Sequence, residues 1–428
     1  MVLETLRVYP WFESTDYPFV SVIIPTYNRK TILKKCLSAL LAQTYRHDKY
    51  EIIVIDDGST DGTGEIMGRL VEEHGLEKQS AIMTEAKARI KREAKPVAQI
   101  EDKTEAETEG KTEAKAEAKA KREAKPVAEI EDKIDSETEA KTEARTRAET
   151  DTKCGRGVKH YSTCRPVRLI YEWQEHTSAA AARNRGIRKA SGDLVILLDS
   201  DIVTLPDFIE AHVLAHLDQA YETQSDEVSV GEFSPEDKTI VHGRVIYTED
   251  LDNPTSTRKR ISDISMAFFA GGNVSIARKW LLEAGLFDED FTEYGWEDLE
   301  LGQRLKKLGL RVVRSDKPAG YHLKHEFSVA KLPAIRKREI ERGRMAVIYY
   351  MKHPTSSVRM STTMIRPFYW LVGLLTLGGW PDKPCAAKLI DWLDRRGLRA
   401  LLGILLQIMI YYWYIQGIKE GNAEFLGA

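Results

Sequence analysis

The sequence predicts an α/β protein built on a doubly wound, mostly parallel sheet. Three observations carry that expectation. Apolar runs recur at residues 20–25, 51–55, 167–171 and 194–198. Amphipathic stretches alternate with them, and strand, helix, strand, helix is the grammar of a parallel sheet. The run at 194–198 leads straight into Asp199-Ser200-Asp201. That places two carboxylates at the C-terminal end of a buried strand, where open α/β sheets hold their ligands.

Residues 20–25 read as a buried strand ending at Pro25, and Thr31 opens a helical pattern through Leu33, Leu37, Leu40 and Leu41. Residues 51–55 form a second strand that ends in Asp56-Asp57-Gly58-Ser59, followed by a helix over about residues 64–74. The pattern then breaks. Residues 82–153 lack Phe, Tyr and Trp and are mostly Ala, Glu, Lys and Thr. The eight residues from Lys91 recur from Lys121, but so few copies fall short of a solenoid. This stretch is expected to be an insertion, helical in part and disordered in part, carrying no chemistry. The sheet resumes at 167–171, and a small-residue stretch from Ala179 leads into the helical Arg183-Asn184-Arg185-Gly186.

Composition narrows the class. Lys plus Arg number 63 against 66 Asp plus Glu, a net charge of −3, so the basic excess of a nucleic-acid binder is missing. Cys36, Cys154, Cys164 and Cys385 form no C-x-x-C pair, as suits a reducing compartment. Residues 1–16 show no basic region followed by an apolar core, so a secretory signal is not expected.

Past Pro206 a helix is expected from Phe208 to Leu217, then strand-like residues at 239–245. Gly271 and Gly272 permit close backbone approach, and a helix starts at Arg278. Trp296-Glu297-Asp298 opens another helix whose apolar stripe is Leu301, Leu305 and Leu308. Carboxylates in a first helical turn gain about 0.3–1 kcal/mol from the helix dipole, which is a structural reason for them. A carboxylate beside a tryptophan also suits a sugar site, the ring stacking on the sugar and the acid taking a hydroxyl proton. His322 and His325 follow another expected strand at 311–314 and could join a metal set with the D-x-D.

Together these motifs resemble the inverting family 2 glycosyltransferases of GT-A fold, with a galactosyltransferase-like acceptor segment over residues 271–304. The resemblance spans about residues 20–74 and 167–325 and rests on six segments in order, from Pro25-Thr26-Tyr27-Asn28-Arg29 to Trp296-Glu297-Asp298. It implies a GT-A catalytic domain over 17–81 and 154–330, nucleotide-binding to about 205 and acceptor-binding from 206. It implies residue roles as well. Pro25, Tyr27, Asp56 and Asp57 would line the nucleoside pocket, Arg183 would approach the diphosphate, and Gly271 and Gly272 would pass close to the donor sugar. Asp199 would contact ribose or metal, Asp201 would ligate the metal (Mn2+ or Mg2+), and His322 would be the third ligand with His325 as fallback. Asp298 would be the general base, with Glu297 and Trp296 on the acceptor. The implied activity is a metal-dependent single displacement in polysaccharide biosynthesis. It would move a sugar from a nucleotide-sugar, with a family preference for uridine, to a glycan or lipid-linked hydroxyl.

Residues 331–428 are expected to be helical, with apolar segments at 365–380 and 400–415. Each is about sixteen residues, short of the roughly twenty that cross a bilayer. They read as helices packed on the catalytic domain or lying on the inner face of the cell membrane, with a single span as the lesser alternative. A peripheral, cytoplasmic enzyme is therefore expected. Two other classes remain open: a sugar nucleotidyltransferase, and a catalytically silent GT-A glycan-binding or scaffold protein. The first wants a basic glycine-rich loop that residues 25–28 do not supply, and the second is opposed by intact Asp199, Asp201 and Asp298.

Overall fold

Apolar alternation explains the centre of the sheet in the computed structural model. Strand β1 (Val20–Thr26) sends Val22 and Ile24 to one apolar layer and Ile23 to the other. A strand with both faces covered must be apolar on both, and β1, β2 (Tyr50–Asp56) and β4 (Leu194–Leu198) are. All five side chains of β4 are fully buried, each contributing about 2 kcal/mol.

The described residues are 18–73, 167–223, 233–254, 261–323, 327–377 and 379–427. The chain divides into two units, residues 1–76 with 165–428, and residues 77–164. The second unit, and with it the insertion expected at 82–153, lies outside the described residues, as does His325.

Around β1 stand β2, β3 (Arg168–Trp173) and β4, all parallel, in the order β3–β2–β1–β4. Helices α1 (Lys30–Leu41), α2 (Thr63–Glu73) and α3 (Ala179–Lys189) connect them. Ser178 caps α3 by accepting from Ala181 N–H. The short β5 (Ile202–Thr204) follows the D-x-D, and α4 (Phe208–Thr223) covers the face opposite α3.

The second half is mixed. Strand β6 (Thr239–Thr248) carries the short β7 (Ile261–Asp263). Strand β8 (Asn273–Ala277) lies antiparallel between β4 and β6. After α5 (Arg278–Glu283) and α6 (Glu297–Lys307), β9 (Arg311–Leu323) runs parallel to β6 and antiparallel to β5. This last strand is far longer than the four residues expected. Its register on β6 jumps from Arg314 to Ala319, so residues 315–318 stand out of the ladder and Pro318 needs no partner for its missing N–H. The interruption hides the strand from a periodicity argument, and its far end is what brings His322 beside β5.

The C-terminal region is helical: α7 (Leu332–Lys352), α8 (Ser356–Ser361), α9 (Arg366–Thr376), α10 (Pro384–Arg395) and α11 (Arg399–Leu426). The apolar segment at 400–415 is the start of a 28-residue helix. It continues past Ile415 because its second half packs against α7.

Candidate active site

Four strand ends and two glycines assemble the site. The turn after β2 is held by Asp56, which is buried and accepts from Ser59 N–H at 2.8 Å and from Tyr171 OH at 2.7 Å. Asp56 therefore supports the turn, while Asp57 faces the segment after β3. Its carboxylate accepts from Gln174 Nε2 at 2.6 Å and Thr177 N–H at 3.0 Å, and His176 Nδ1 stands 2.9 Å away. Tyr27, 44% exposed, stacks on the His176 ring at 4.2 Å between centroids. Tyr27 and Asp57 thus gather at one mouth, with Gln174, His176 and Thr177 as members that no sequence motif marked, while Pro25 lies within β1 opposite Ile55 of β2.

Arg183 is the hub. Its side chain is nearly buried under the Phe287 ring, and its guanidinium reaches Asp199 Oδ1 at 3.2 Å, Glu297 Oε1 at 3.3 Å and Asp298 Oδ1 at 3.8 Å. Burial opposes its charge, but Asp298, Asp199 and Glu297 outweigh burial and hold it protonated. Burial in turn pushes the Asp298 carboxyl above the usual carboxylate range, against the pull of Arg183. Glu297 is raised by burial and then by the charge of Asp298, and Asp199 is raised by burial.

The two glycines close the site. Gly271 N–H donates to Asp298 Oδ2 at 3.0 Å, and the Gly272 carbonyl accepts from Asp199 N–H at 3.0 Å. A Cβ on Gly272 would lie 2.8 Å from Asp199 Oδ2, so only glycine leaves that carboxylate where it is. Asn273 anchors this loop from behind. Its Nδ2 donates to the carbonyls of Arg244 and Pro318, so its Oδ1 accepts from His212 Nε2 at 3.0 Å. Burial pushes the His212 pKa down to about 3, so the ring is neutral and its Nδ1 accepts from Ser275 Oγ at 2.9 Å. Ser275 then accepts from His216 Nε2, whose other nitrogen faces Asp237. A buried polar chain thus fixes the strand start that presents both glycines.

At the D-x-D, Asp201 is paired with Arg29 and lies 3.4 Å from His322 Nε2. Burial opposes ionisation of Asp201, but His322 and Arg29 hold its pKa below the usual value. His322 is raised, chiefly by its contact with Asp201, and its buried Nδ1 has no hydrogen-bond partner. Two hard carboxylates and an imidazole suit Mn2+ or Mg2+, so the donor set fits a divalent cation. Among the described residues no three such groups converge on one point, because Arg183 holds Asp199 while Arg29 and His322 hold Asp201.

Trp296 differs from the expectation of a sugar-stacking ring. It is left-handed at φ 75°, and its indole turns inward, stacking on Tyr349 at 5.8 Å and donating Nε1–H to the Arg342 carbonyl. The exposed aromatic beside the acidic helix end is Tyr294, with the Arg338 guanidinium 5.4 Å from its ring centre.

A parallel half that ends in D-x-D, joined to a mixed half that delivers an acidic helix end to the same arginine, makes an α/β GT-A fold. Residues 21–88 and 156–284 match the family profile described as Glycosyl transferase family 2, and residues 259–326 match the one described as N-terminal domain of galactosyltransferase. The chain belongs to glycosyltransferase family 2. Hyaluronan synthase of Pasteurella multocida is 31% identical over 189 residues, which are 39% of this chain and 19% of that protein. Validoxylamine A glucosyltransferase of Streptomyces hygroscopicus subsp. limoneus is 24% identical over 340 residues, 75% of this chain and 55% of that protein. The chain thus spans little more than half the length of these curated relatives, or less. Among solved structures, a mannosyltransferase from Pyrobaculum calidifontis in complex with GDP-Man and Mn2+ is 14% identical at a TM-score of 0.43, covering 95% of this chain and 88% of that chain.

Proposed function

We propose that the protein transfers a sugar from a nucleotide-sugar, with a family-level preference for uridine, to a hydroxyl of a glycan or lipid-linked acceptor, inverting the anomeric centre. The observation that carries this reading is Arg183, whose one guanidinium joins the D-x-D carboxylate Asp199 to the acidic pair Glu297 and Asp298. Donor and acceptor groups therefore meet at a single cation.

Pro25, Tyr27 and Asp57 hold the nucleoside, and Arg183 holds the diphosphate. Asp199 and Asp201, with His322, would hold a divalent cation, which when bound neutralises charge on the departing nucleoside diphosphate. Asp298 accepts the proton of the acceptor hydroxyl while that oxygen bonds to the anomeric carbon and the bond to the phosphate oxygen breaks. Gly271 N–H fixes the orientation of the base. Glu297 and Asp298 share the same guanidinium, so neither stands opposite the other across a sugar ring. Neither of these two acids is then placed as a nucleophile for double displacement, and on that ground the product is inverted. The protein would act from the cytoplasmic side, peripheral on the membrane.

Incubation with a panel of nucleotide-sugars, Mn2+ and glycan acceptors is expected to release nucleoside diphosphate from one donor. Its kcat/KM should fall on acidification with a midpoint above the roughly 3.9 of a free aspartate, because burial raises Asp298 and the base works only when ionised. Release from no donor, with tight glycan binding retained, would leave a binding protein; pyrophosphate release from a nucleoside triphosphate and sugar phosphate would make it a nucleotidyltransferase. Gly272→Ala should weaken donor binding in Mn2+ by about 10²-fold, since displacing Asp199 misplaces the diphosphate site, and titration calorimetry reads it directly.

A further inference from the structure

We propose that the outer face of α9, the first half of α11 and the outer side of α10 docks on an anionic lipid surface, lying in the interface rather than crossing the bilayer. On α9, Trp370 and Leu374 are 71% and 53% exposed one helical turn apart, with Leu371 and Leu375 beside them, and Leu377, just past the helix end, is 79% exposed. Leu401 and Ile404 are exposed on α11, and Leu389 and Trp392 on α10. These helices adjoin. Phe368 of α9 meets Tyr411 of α11 edge to face at 5.0 Å, and Ile390 and Leu393 of α10 share a core with Leu402 and Met409 of α11. A water-facing domain rarely leaves so many large apolar side chains together uncovered.

Charge selects the partner. The segment from Arg359 to Arg399 holds Arg359, Arg366, Lys383, Lys388, Arg395, Arg396 and Arg399 against only Asp382, Asp391 and Asp394. Asp382 is already occupied by Arg336, Trp413 and Gln416, and Asp391 by Arg395. An apolar stripe with tryptophans, flanked by a cationic excess, is complementary to acyl chains beneath anionic headgroups.

The packing excludes a span. Helix α11 is long and apolar enough to cross a membrane by length and composition. Its second half, however, is sealed on α7. A Cβ on Gly343 would lie 2.2 Å from the Tyr414 carbonyl oxygen, and one on Gly417 2.0 Å from that of Ile340, so the two backbones touch. The part of α11 that carries the exposed Leu401 and Ile404, residues 399–408, is about 15 Å long against a hydrocarbon core of about 30 Å. On the transferase reading above, this also places the acceptor. Trp296, which opens the acidic helix, stacks on Tyr349 of α7, so the docked face and Asp298 belong to one packed unit and a lipid-linked hydroxyl would be met at the surface.

The test is co-sedimentation of the full chain with vesicles, without any sugar donor, so it stands or falls separately from the transferase activity. Wild type is expected to pellet with phosphatidylglycerol-containing vesicles, to stay in solution with pure phosphatidylcholine, and to be released by about 0.5 M NaCl. The W370E/L374E double variant should lose vesicle affinity by about tenfold or more at unchanged circular dichroism. R395Q/R396Q/R399Q should lose only the preference for the anionic vesicles. Wild type that remains in solution with anionic vesicles overturns the proposal, as does a double variant that pellets equally well. A wild-type dimer on gel filtration that W370E/L374E dissociates, without vesicle binding, would assign the face to a second copy of this chain instead.

Discussion

Asp298→Asn is expected to lower kcat for sugar transfer by about 10²–10⁴-fold while leaving donor affinity within a few-fold, because a general base contributes on that scale and little else changes. The amide keeps the shape of the carboxylate, and its oxygen can still accept from Gly271 N–H. What is lost, on the proposed mechanism, is the ability to take a proton from the acceptor hydroxyl. Steady-state rates of nucleoside diphosphate release with acceptor, beside calorimetric donor binding, separate the two. The neighbouring carboxylate is the control. Glu297 meets the same arginine, so Glu297→Gln should raise the acceptor KM more than it lowers kcat. If Asp298→Asn kept most of its turnover while Glu297→Gln lost it, the base would be Glu297.

Arg183→Ala is expected to be the most destabilising single change in the site. Three carboxylates face this one buried cation, and breaking a buried ion cluster from one side costs about 3–5 kcal/mol. The melting temperature should fall by about 5 °C near neutral pH. The loss should shrink on acidification, and the sign follows from linkage. Glu297 and Asp298 already titrate above their ordinary range because of burial, and without Arg183 they would titrate higher still. A carboxylate whose folded pKa exceeds its unfolded value favours the folded state below the unfolded value and loses that contribution as pH rises through the folded one. Melting curves at pH 5 and pH 8 therefore test the cluster, and a variant within about 2 °C of wild type at both would show that the three acids do not depend on Arg183. Arg183→Lys should restore part of the stability and little of the activity, since a point charge cannot fork between Asp199 and Glu297.

The parallel half of the sheet was legible because its signals are local. Residues 20–25, 51–55 and 194–198 are apolar on both faces, and burial on both sides of a sheet demands that. The acidic start of α6 was legible for the same reason, from an apolar stripe at helical spacing. Strand β9 was legible only over its first four residues, because the chain then leaves the ladder over residues 315–318 and breaks the alternation that reveals a strand. Gln174, His176 and Thr177 were equally hidden. Their role at Asp57 comes from a β2–β3 pairing across more than 110 residues of intervening chain, and no short spacing encodes it.

By itself, then, the sequence determined the order of strands and helices up to the D-x-D, the D-x-D at a strand end and the carboxylates at a helix start. Hydrophobic periodicity and burial act over a few residues, so they can be read there. Tertiary structure alone decided that Arg183 joins Asp199 to Glu297 and Asp298, and that Asp56 supports a turn while Asp57 faces the mouth. It also decided that Trp296 packs inward and that half of α11 is sealed on α7. Each of these depends on which surfaces close on which, and packing between distant segments leaves no periodic trace in either one.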